Sequence, residues 1–153
     1  MAIVPYAGTD TRGLVGMHAD AQEWNARTLL ADNVAAAPIG PGQPVARFAG
    51  NDKVGRAWAT GAAVGVARWT VSVDTTTGFK EGDPIAVQDQ GTMWVAAGAA
   101  CTAGGAAYYN PTTDRWGNTG AGFVAVPGVM FDTNATAGRL VRLRIAIPAT
   151  AAV

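Results

Sequence analysis

The sequence predicts an all-β fold, a small barrel or sandwich of short antiparallel strands preceded by an extended N-terminal arm. From residue 40 to residue 147, short apolar runs alternate with turns, and the 153-residue chain holds 20 glycines. This range has no long apolar stripe at helical spacing, so short strands joined by tight turns are favoured. At this length we expect one β body at residues 39–153 and an arm at residues 1–38.

The arm lacks the strict alternation that is typical of strands and ends in a run of alanines. An extended segment that docks on another surface is the favoured interpretation. A short helix is the alternative, because Asp20 and Glu23 resemble a capping box. In addition, Met17, Ala21 and Trp24 share one helical face, although two glycines precede this stripe and it ends after one or two turns.

In the first half of the body, short apolar runs are bounded by glycine or Asn-Asp turns, and we predict strands at residues 45–49, 54–59 and 64–68. The clearest alternation follows directly. Trp69, Val71 and Val73 fall on one face and polar residues on the other, which is the period of two of a half-buried strand.

In the second half we predict two hairpins. One joins residues 85–88 to residues 92–96 through Gln90 and Gly91, and the other joins residues 106–109 to residues 115–116. The run 123–131 is predicted to be a bent or bulged strand, because Pro127 cannot donate to a central ladder. In the last strand, residues 141, 143, 145 and 147 are apolar, whereas Arg142 and Arg144 are predicted to face outward.

Composition excludes several classes of function. Eleven basic residues balance eleven acidic ones, so no overall field attracts nucleic acid or an anionic membrane. No segment has the length of a membrane-spanning helix, and the N-terminus does not resemble a secretory signal, so we expect a soluble protein made in the cytosol. Charged residues make up only 14% of the chain, which favours burial in interfaces with itself or with other proteins.

The sequence offers few groups for catalysis or cofactor binding. His18 is the one histidine and Cys101 the one cysteine, so neither a nucleophilic triad nor a zinc site is expected. We interpret Cys101 as a small buried hydrophobe. The remaining candidates are carboxylates close to turn residues, where stabilising the turn is their ordinary role. They are Asp74, Glu81, Asp83, Asp89, Asp114 and Asp132. We predict no enzymatic activity and no cofactor.

Six segments of the chain resemble the tailed-bacteriophage capsid decoration proteins, also called structural cement proteins. They are residues 42–47 (GQPVAR), 61–67 (GAAVGVA), 79–87 (FKEGDPIAV), 91–95 (GTMWV), 102–109 (TAGGAAYY) and 138–145 (GRLVRLRI). The resemblance implies an all-β body with an N-terminal arm. It also implies homo-oligomers, dimers or trimers, that sit on the outside of the head and bridge neighbouring major capsid proteins. This chain departs from the pattern in its polar segment 18–27, which carries Trp24.

The residues that we predict to contact a partner lie in the arm. Trp24 has no predicted strand of its own to bury it, which suggests docking on a neighbour. The predicted contacts are Tyr6, Met17, Trp24, Leu29 and Leu30.

Two other classes of function stay open at this point. A module that binds carbohydrate or a host surface would use Trp94, Tyr108, Tyr109 and Trp116 as a stacking surface. A hydrolase built on a β fold, such as a nucleotide phosphatase, would need the catalytic constellation that the sequence does not display.

Overall fold

A computed structural model of the chain describes residues 13–19, 24–32, 38–47, 52–56, 62–71, 73 and 77–148. This part of the chain contains nine β-strands and no helix, which confirms the predicted all-β class. The strands are β1 (Asn25–Ala31), β2 (Pro44–Arg47), β3 (Lys53–Arg56), β4 (Gly65–Ala67), β5 (Pro84–Ala96), β6 (Ala106–Asn110), β7 (Arg115–Gly117), β8 (Val124–Phe131) and β9 (Leu140–Ala146). The described residues include no helix that would span a bilayer.

All nine strands belong to one sheet in the order β1-β3-β2-β4-β5-β9-β8-β6-β7. Strand β1 also pairs with β5, so β1, β3, β2, β4 and the first residues of β5 close into a ring. The later residues of β5 pair with β9, and a parallel bridge between Ala97 and Trp116 brings β7 back to the end of β5. We call these two parts the first and second halves of the molecule, and both contain β5.

Each half has its own hydrophobic core. The first core includes Leu29, Val45, Phe79 and Ile85, and the second includes Met93, Trp116, Phe131 and Leu143. Strand β5 contributes alternate side chains to both, because residues 85 and 87 enter the first core and residues 93 and 95 the second.

Polar contacts connect the halves. The indole nitrogen of Trp116 donates to the carbonyl oxygen of Gly42 at 2.9 Å. The guanidinium of Arg56, on β3, donates to the carbonyl oxygen of Pro111 at 3.0 Å and pairs with the carboxylate of Asp114. Both contacts link the first half, through the turn before β2 or the end of β3, to the hairpin of β6 and β7 in the second half.

The second half follows the sequence prediction closely. Strands β6 and β7 form the predicted antiparallel hairpin, with Tyr109 opposite Trp116. Strand β8 is bulged against β6. Between the pairs Ala106–Met130 and Tyr108–Ala125, the chain advances two residues on β6 but five on β8. Gly128, within this bulge, has a φ of 83°, which favours glycine. The inward side chains of β9 are buried and Arg144 is exposed, as predicted.

Two predicted elements are wrong. Residues 85–88 and 92–96 do not form a hairpin but belong to the single 13-residue strand β5. The predicted strand over Trp69, Val71 and Val73 is a turn instead, in which the Val73 nitrogen donates to the Thr70 carbonyl at 3.1 Å. Val71, which the alternation places on the apolar face of that strand, is 86% exposed.

Part of the predicted arm lies in the sheet. Strand β1 (Asn25–Ala31) pairs with β3 and β5, so this segment does not extend away from the body. Residues 13–19 also follow β5, because Gly16 donates to the Trp94 carbonyl at 2.7 Å and Trp94 donates to the Met17 carbonyl at 2.9 Å. The alternative helix starting at Asp20 falls mostly outside the described residues.

Candidate interaction surface

Four of the six carboxylates named as catalytic candidates have structural partners, each in a different place, and a fifth, Glu81, is exposed. Asp89 pairs with Arg27 at 3.3 Å, Asp114 pairs with Arg56, and Asp132 lies 2.5 Å from Arg142 and 2.9 Å from Arg144. Asp83 accepts a hydrogen bond from the Lys80 backbone nitrogen at 2.8 Å and thereby closes a turn. Asp74 lies outside the described residues. Across the described ranges, no three His, Cys, Asp or Glu side chains cluster as metal ligands do.

Cys101 is a core residue, as predicted. It is 4% exposed and belongs to the second core. Its thiol lies 3.4 Å from the Ala99 carbonyl oxygen, and burial raises the pKa of the thiol to about 11. A thiol with a raised pKa is mostly protonated at neutral pH and is a poor nucleophile.

The predicted stacking surface for carbohydrate is wrong. Trp94, Tyr109 and Trp116 are 8%, 2% and 1% exposed, and Tyr108 is only partly exposed. Tyr109 packs on Trp116 with ring centroids 5.1 Å apart inside the second core. These aromatic side chains stabilise the fold and present no open platform to a sugar.

The five predicted contact residues have different environments. Tyr6 lies outside the described residues, and Met17 is partly buried beside β5. Leu29 is 5% exposed within the first core, so its side chain is not available to a partner. Leu30, the next residue on β1, is 42% exposed because alternate side chains of a strand face opposite sides.

Trp24 lies immediately before β1 in a cluster that we call the Trp24 patch, formed by Trp24, His18 and Arg68. The Trp24 side chain is 46% exposed. The Arg68 guanidinium lies over its ring, 4.4 Å from the centroid, in cation–π geometry. The His18 ring is tilted against Trp24 with centroids 5.4 Å apart.

Three local features position this patch. A backbone bridge between His18 and Met93 holds the histidine beside β5. The Arg68 nitrogen donates to the Ala86 carbonyl at 2.8 Å, which fixes the arginine on the opposite side of β5 from β9. Gly91 has no side chain, and Trp24 fills that space, since a Cβ built on Gly91 would lie 2.6 Å from the Trp24 Cβ.

The polar groups of the Trp24 patch are incompletely paired. Both ring nitrogens of His18 and the Nε of Arg68 are shielded from solvent without a hydrogen-bond partner in the described part of the chain. Burial also lowers the pKa of the Arg68 guanidinium. The sequence pattern points to Trp24 but not to Arg68, because the two residues meet only through the pairing of β4 and β1 with β5.

A second exposed patch lies at the other end of β1. We call Leu30 and Asp52 the Leu30 patch. The Leu30 nitrogen donates to the Asp52 carbonyl oxygen at 3.0 Å, and both side chains are exposed. Three further large apolar side chains are exposed elsewhere in the described residues, namely Val71, Val124 and Met130. The described part of the chain thus presents several separate apolar contact points.

Comparison with known proteins identifies the family. The family model described as "Structural cement protein (E217 gp24/Pam3 gp6)" matches residues 5–146. Among solved structures, a chain of the capsid of Myoviridae phage XM1 has a similar fold, with a TM-score of 0.64 at 17% identity. That match covers 87% of this chain and 89% of the phage chain. No curated protein sequence matches.

The family match spans nearly the whole chain, including every strand of both halves. It agrees with the all-β fold of the described residues. The chain belongs to the phage structural cement protein family.

Proposed function

We propose that this protein binds the outside of the major capsid protein shell and stabilises the head by bridging neighbouring capsid subunits. The family match over residues 5–146 is the observation that carries the proposal. A bridging protein stabilises a shell through buried area alone, and specific interfaces bury about 800 Å² on each partner. Many copies on one shell multiply that effect.

The surface chemistry supports this role. Asp89, Asp114 and Asp132 are each neutralised by arginine, and charged residues make up only 14% of the chain. Surfaces depleted in free charge are easier to desolvate when they enter an interface. The exposed Trp24 and Leu30 then provide apolar anchors of the kind that dominate binding energies.

We further propose which parts of the chain make the contacts. Residues 1–38, other than the strand β1 and the segment 13–19 that follows β5, act as a strap that carries Tyr6 toward a neighbour, and residues 39–153 act as the rigid body. Leu29 is removed from the contact set because the first core holds it. On the shell we expect the chain to associate with itself, as a homodimer or a homotrimer.

The test uses heads of the phage assembled with and without this protein. Cryo-electron microscopy of complete heads is expected to show its density on the outer surface, across boundaries between capsid subunits. Heads that lack it are expected to lose DNA at a lower temperature, and adding back the purified protein should restore the original value. Equal heat resistance with and without the protein would contradict the stabilising role.

A further inference from the structure

The Trp24 patch holds a cation whose partner is an aromatic ring. Other cations of the described ranges pair with aspartates, namely Arg27, Lys53, Arg56, Arg142 and Arg144. Within the same ranges no ion pair joins Arg68 to a carboxylate, and its guanidinium lies over the Trp24 ring instead, 4.4 Å from the centroid. The charge of Arg68 is therefore not neutralised by the described part of the chain.

The guanidinium of Arg68 is also partly desolvated. Its Nε is shielded from solvent and donates to no acceptor in the described residues, although the residue as a whole is partly exposed. A cation that has lost part of its hydration without gaining an acceptor gains more from an arriving carboxylate than a fully hydrated cation does. A carboxylate also matches the planar guanidinium through two parallel hydrogen bonds. The chemistry of the patch therefore favours an acidic partner.

The Trp24 ring beside this cation is held in place. The Trp24 Cβ lies 2.6 Å from the position that a Cβ on Gly91 would occupy, and the centroids of the Trp24 and His18 rings are 5.4 Å apart. The Trp24 side chain is nevertheless 46% exposed. A half-exposed ring that its neighbours already order loses little conformational entropy when a partner packs on it. Tryptophan and arginine are also the residue types most enriched at the energetic centres of interfaces.

The geometry of the patch favours a polypeptide partner of different sequence. Arg68 covers one face of the Trp24 ring and His18 is tilted against the ring, which leaves less of it for the flat stacking that sugars and nucleobases need. A second copy of the same patch is a poor partner, because a two-fold contact centred there would place two arginines side by side. An aliphatic side chain can pack on the exposed part of the ring while a nearby carboxylate reaches the guanidinium.

We propose that the Trp24 patch is a binding site for the major capsid protein, and that the segment bound there packs an apolar side chain on Trp24 and directs an Asp or Glu carboxylate to Arg68. This inference rests on the proposed function and specifies where one of its contacts is made. Because the guanidinium lies 4.4 Å from the ring centroid, one short segment can reach both groups. The capsid protein is the partner because the chain belongs to a structural cement family.

Binding of purified variants to heads that lack this protein tests the site. Arg68→Gln, which removes the charge, and Trp24→Ala are each expected to raise the concentration for half-maximal occupancy at least about tenfold. Trp24→Phe keeps an aromatic ring and is expected to lose less affinity. Raising the salt concentration is expected to weaken the binding of wild type more than that of Arg68→Gln, since salt screens the ion pair.

Two controls separate the site from general effects. Arg144→Gln on β9 removes an exposed arginine that pairs with Asp132, and it is expected to leave the half-maximal concentration within about twofold of wild type. Thermal unfolding checks that each variant is folded, because Trp24 packs on β5 at Gly91. If Trp24→Ala does not fold, Arg68→Gln still carries the test.

Crosslinking on assembled heads locates the carboxylate. Arg68→Lys keeps the positive charge and introduces a primary amine, which a carbodiimide joins to a carboxylate in contact with it. Peptide mass spectrometry is expected to find the new link at an Asp or Glu of the major capsid protein. Arg144→Lys is the positive control, since Asp132 lies 2.9 Å from the Arg144 side chain and a link within the chain is expected there.

Three results would overturn the proposal. The first is unchanged occupancy for Arg68→Gln on heads that wild type binds, which leaves the proposed function intact. The second is a link from Arg68→Lys to its own chain or to another copy of it, or no link where Arg144→Lys gives one. The third is a wild-type chain that does not bind the heads, which overturns the proposed function as well, so the two failures are distinguishable.

Discussion

At the scale of single residues, the turn after β6 contains polar side chains that are connected by hydrogen bonds and an ion pair. Asp114 has a φ of 55°, a left-handed conformation that Asp tolerates better than most residues. From there its carboxylate accepts a hydrogen bond from the Tyr109 hydroxyl at 2.8 Å and pairs with Arg56 of the other half. Asn110 completes the turn by accepting from the Thr112 nitrogen at 2.9 Å.

This arrangement predicts a stability loss at alkaline pH. Burial raises the pKa of Tyr109, and the negative charge and hydrogen bond of Asp114 raise it further. Because the folded pKa exceeds the unfolded value of about 10, the stabilisation is complete below that pH and is lost as the pH rises above it. Between about pH 9 and pH 11, wild type is expected to lose about 1.4 kcal/mol more unfolding free energy than Tyr109→Phe.

Urea denaturation at several pH values measures this difference, and Tyr108→Phe is the matched control on the neighbouring residue. At neutral pH, Tyr109→Phe should be about 1 kcal/mol less stable than wild type because it loses the hydrogen bond to Asp114. Parallel pH profiles for wild type and Tyr109→Phe would contradict the assignment.

Neighbouring residues also show where sequence reasoning succeeds. Leu29 and Leu30 were predicted together as contacts, yet one is in the first core and the other is exposed. The alternation of side chains along a strand decides between them, and a segment predicted to be an arm has no such alternation. Cys101 was easier to place, because a lone cysteine among small residues has few alternatives to burial.

At the scale of elements, the predictions fail where local and distant signals compete. Gln90 and Gly91 resemble a hairpin turn, but β5 continues through them because β1 and β9 pair on its successive halves. The alternation of Trp69, Val71 and Val73 resembles a strand, yet the Trp69 nitrogen donates to the Gly16 carbonyl at 2.9 Å and the chain then turns. Both outcomes depend on residues distant in sequence, which a local period does not report.

A substitution at Gly91, within β5, tests this explanation. Its φ is 111°, and an added Cβ would lie 2.6 Å from Trp24 Cβ and 2.9 Å from Gln88 Nε2. Gly91→Ala is therefore expected to lower the unfolding free energy by about 2–4 kcal/mol, from strain and from overpacking together. Gly104→Ala is the control, since Gly104 has a φ of 79° with nothing within 4 Å, and about 1 kcal/mol is expected there.

Urea unfolding of the two variants separates backbone strain from overpacking, because both glycines have a positive φ but, of the two, only Gly91 has a close neighbour. Equal losses at both positions would show that backbone strain alone explains the glycine, and that the packing of Trp24 on β5 adds nothing.

At the scale of the whole molecule, two cores share one strand. The parallel bridge from β7 to the end of β5 and the Trp116 bond to Gly42 add connections between the halves. Because side chains of β5 belong to both cores, we expect each half to depend on the order of the other.

The final prediction follows from this arrangement. Phe79→Ala removes a side chain of the first core and Leu143→Ala one of the second, each at an expected cost of about 2–5 kcal/mol. Because β5 forms part of both cores, unfolding is expected to remain a single transition in either variant, measured at fixed protein concentration. Hydrogen exchange should accelerate in β9 when Phe79 is truncated and in β1 when Leu143 is truncated. Exchange that accelerates only in the half carrying the substitution, or a second unfolding transition, would show that the halves are independent and that β5 does not couple them.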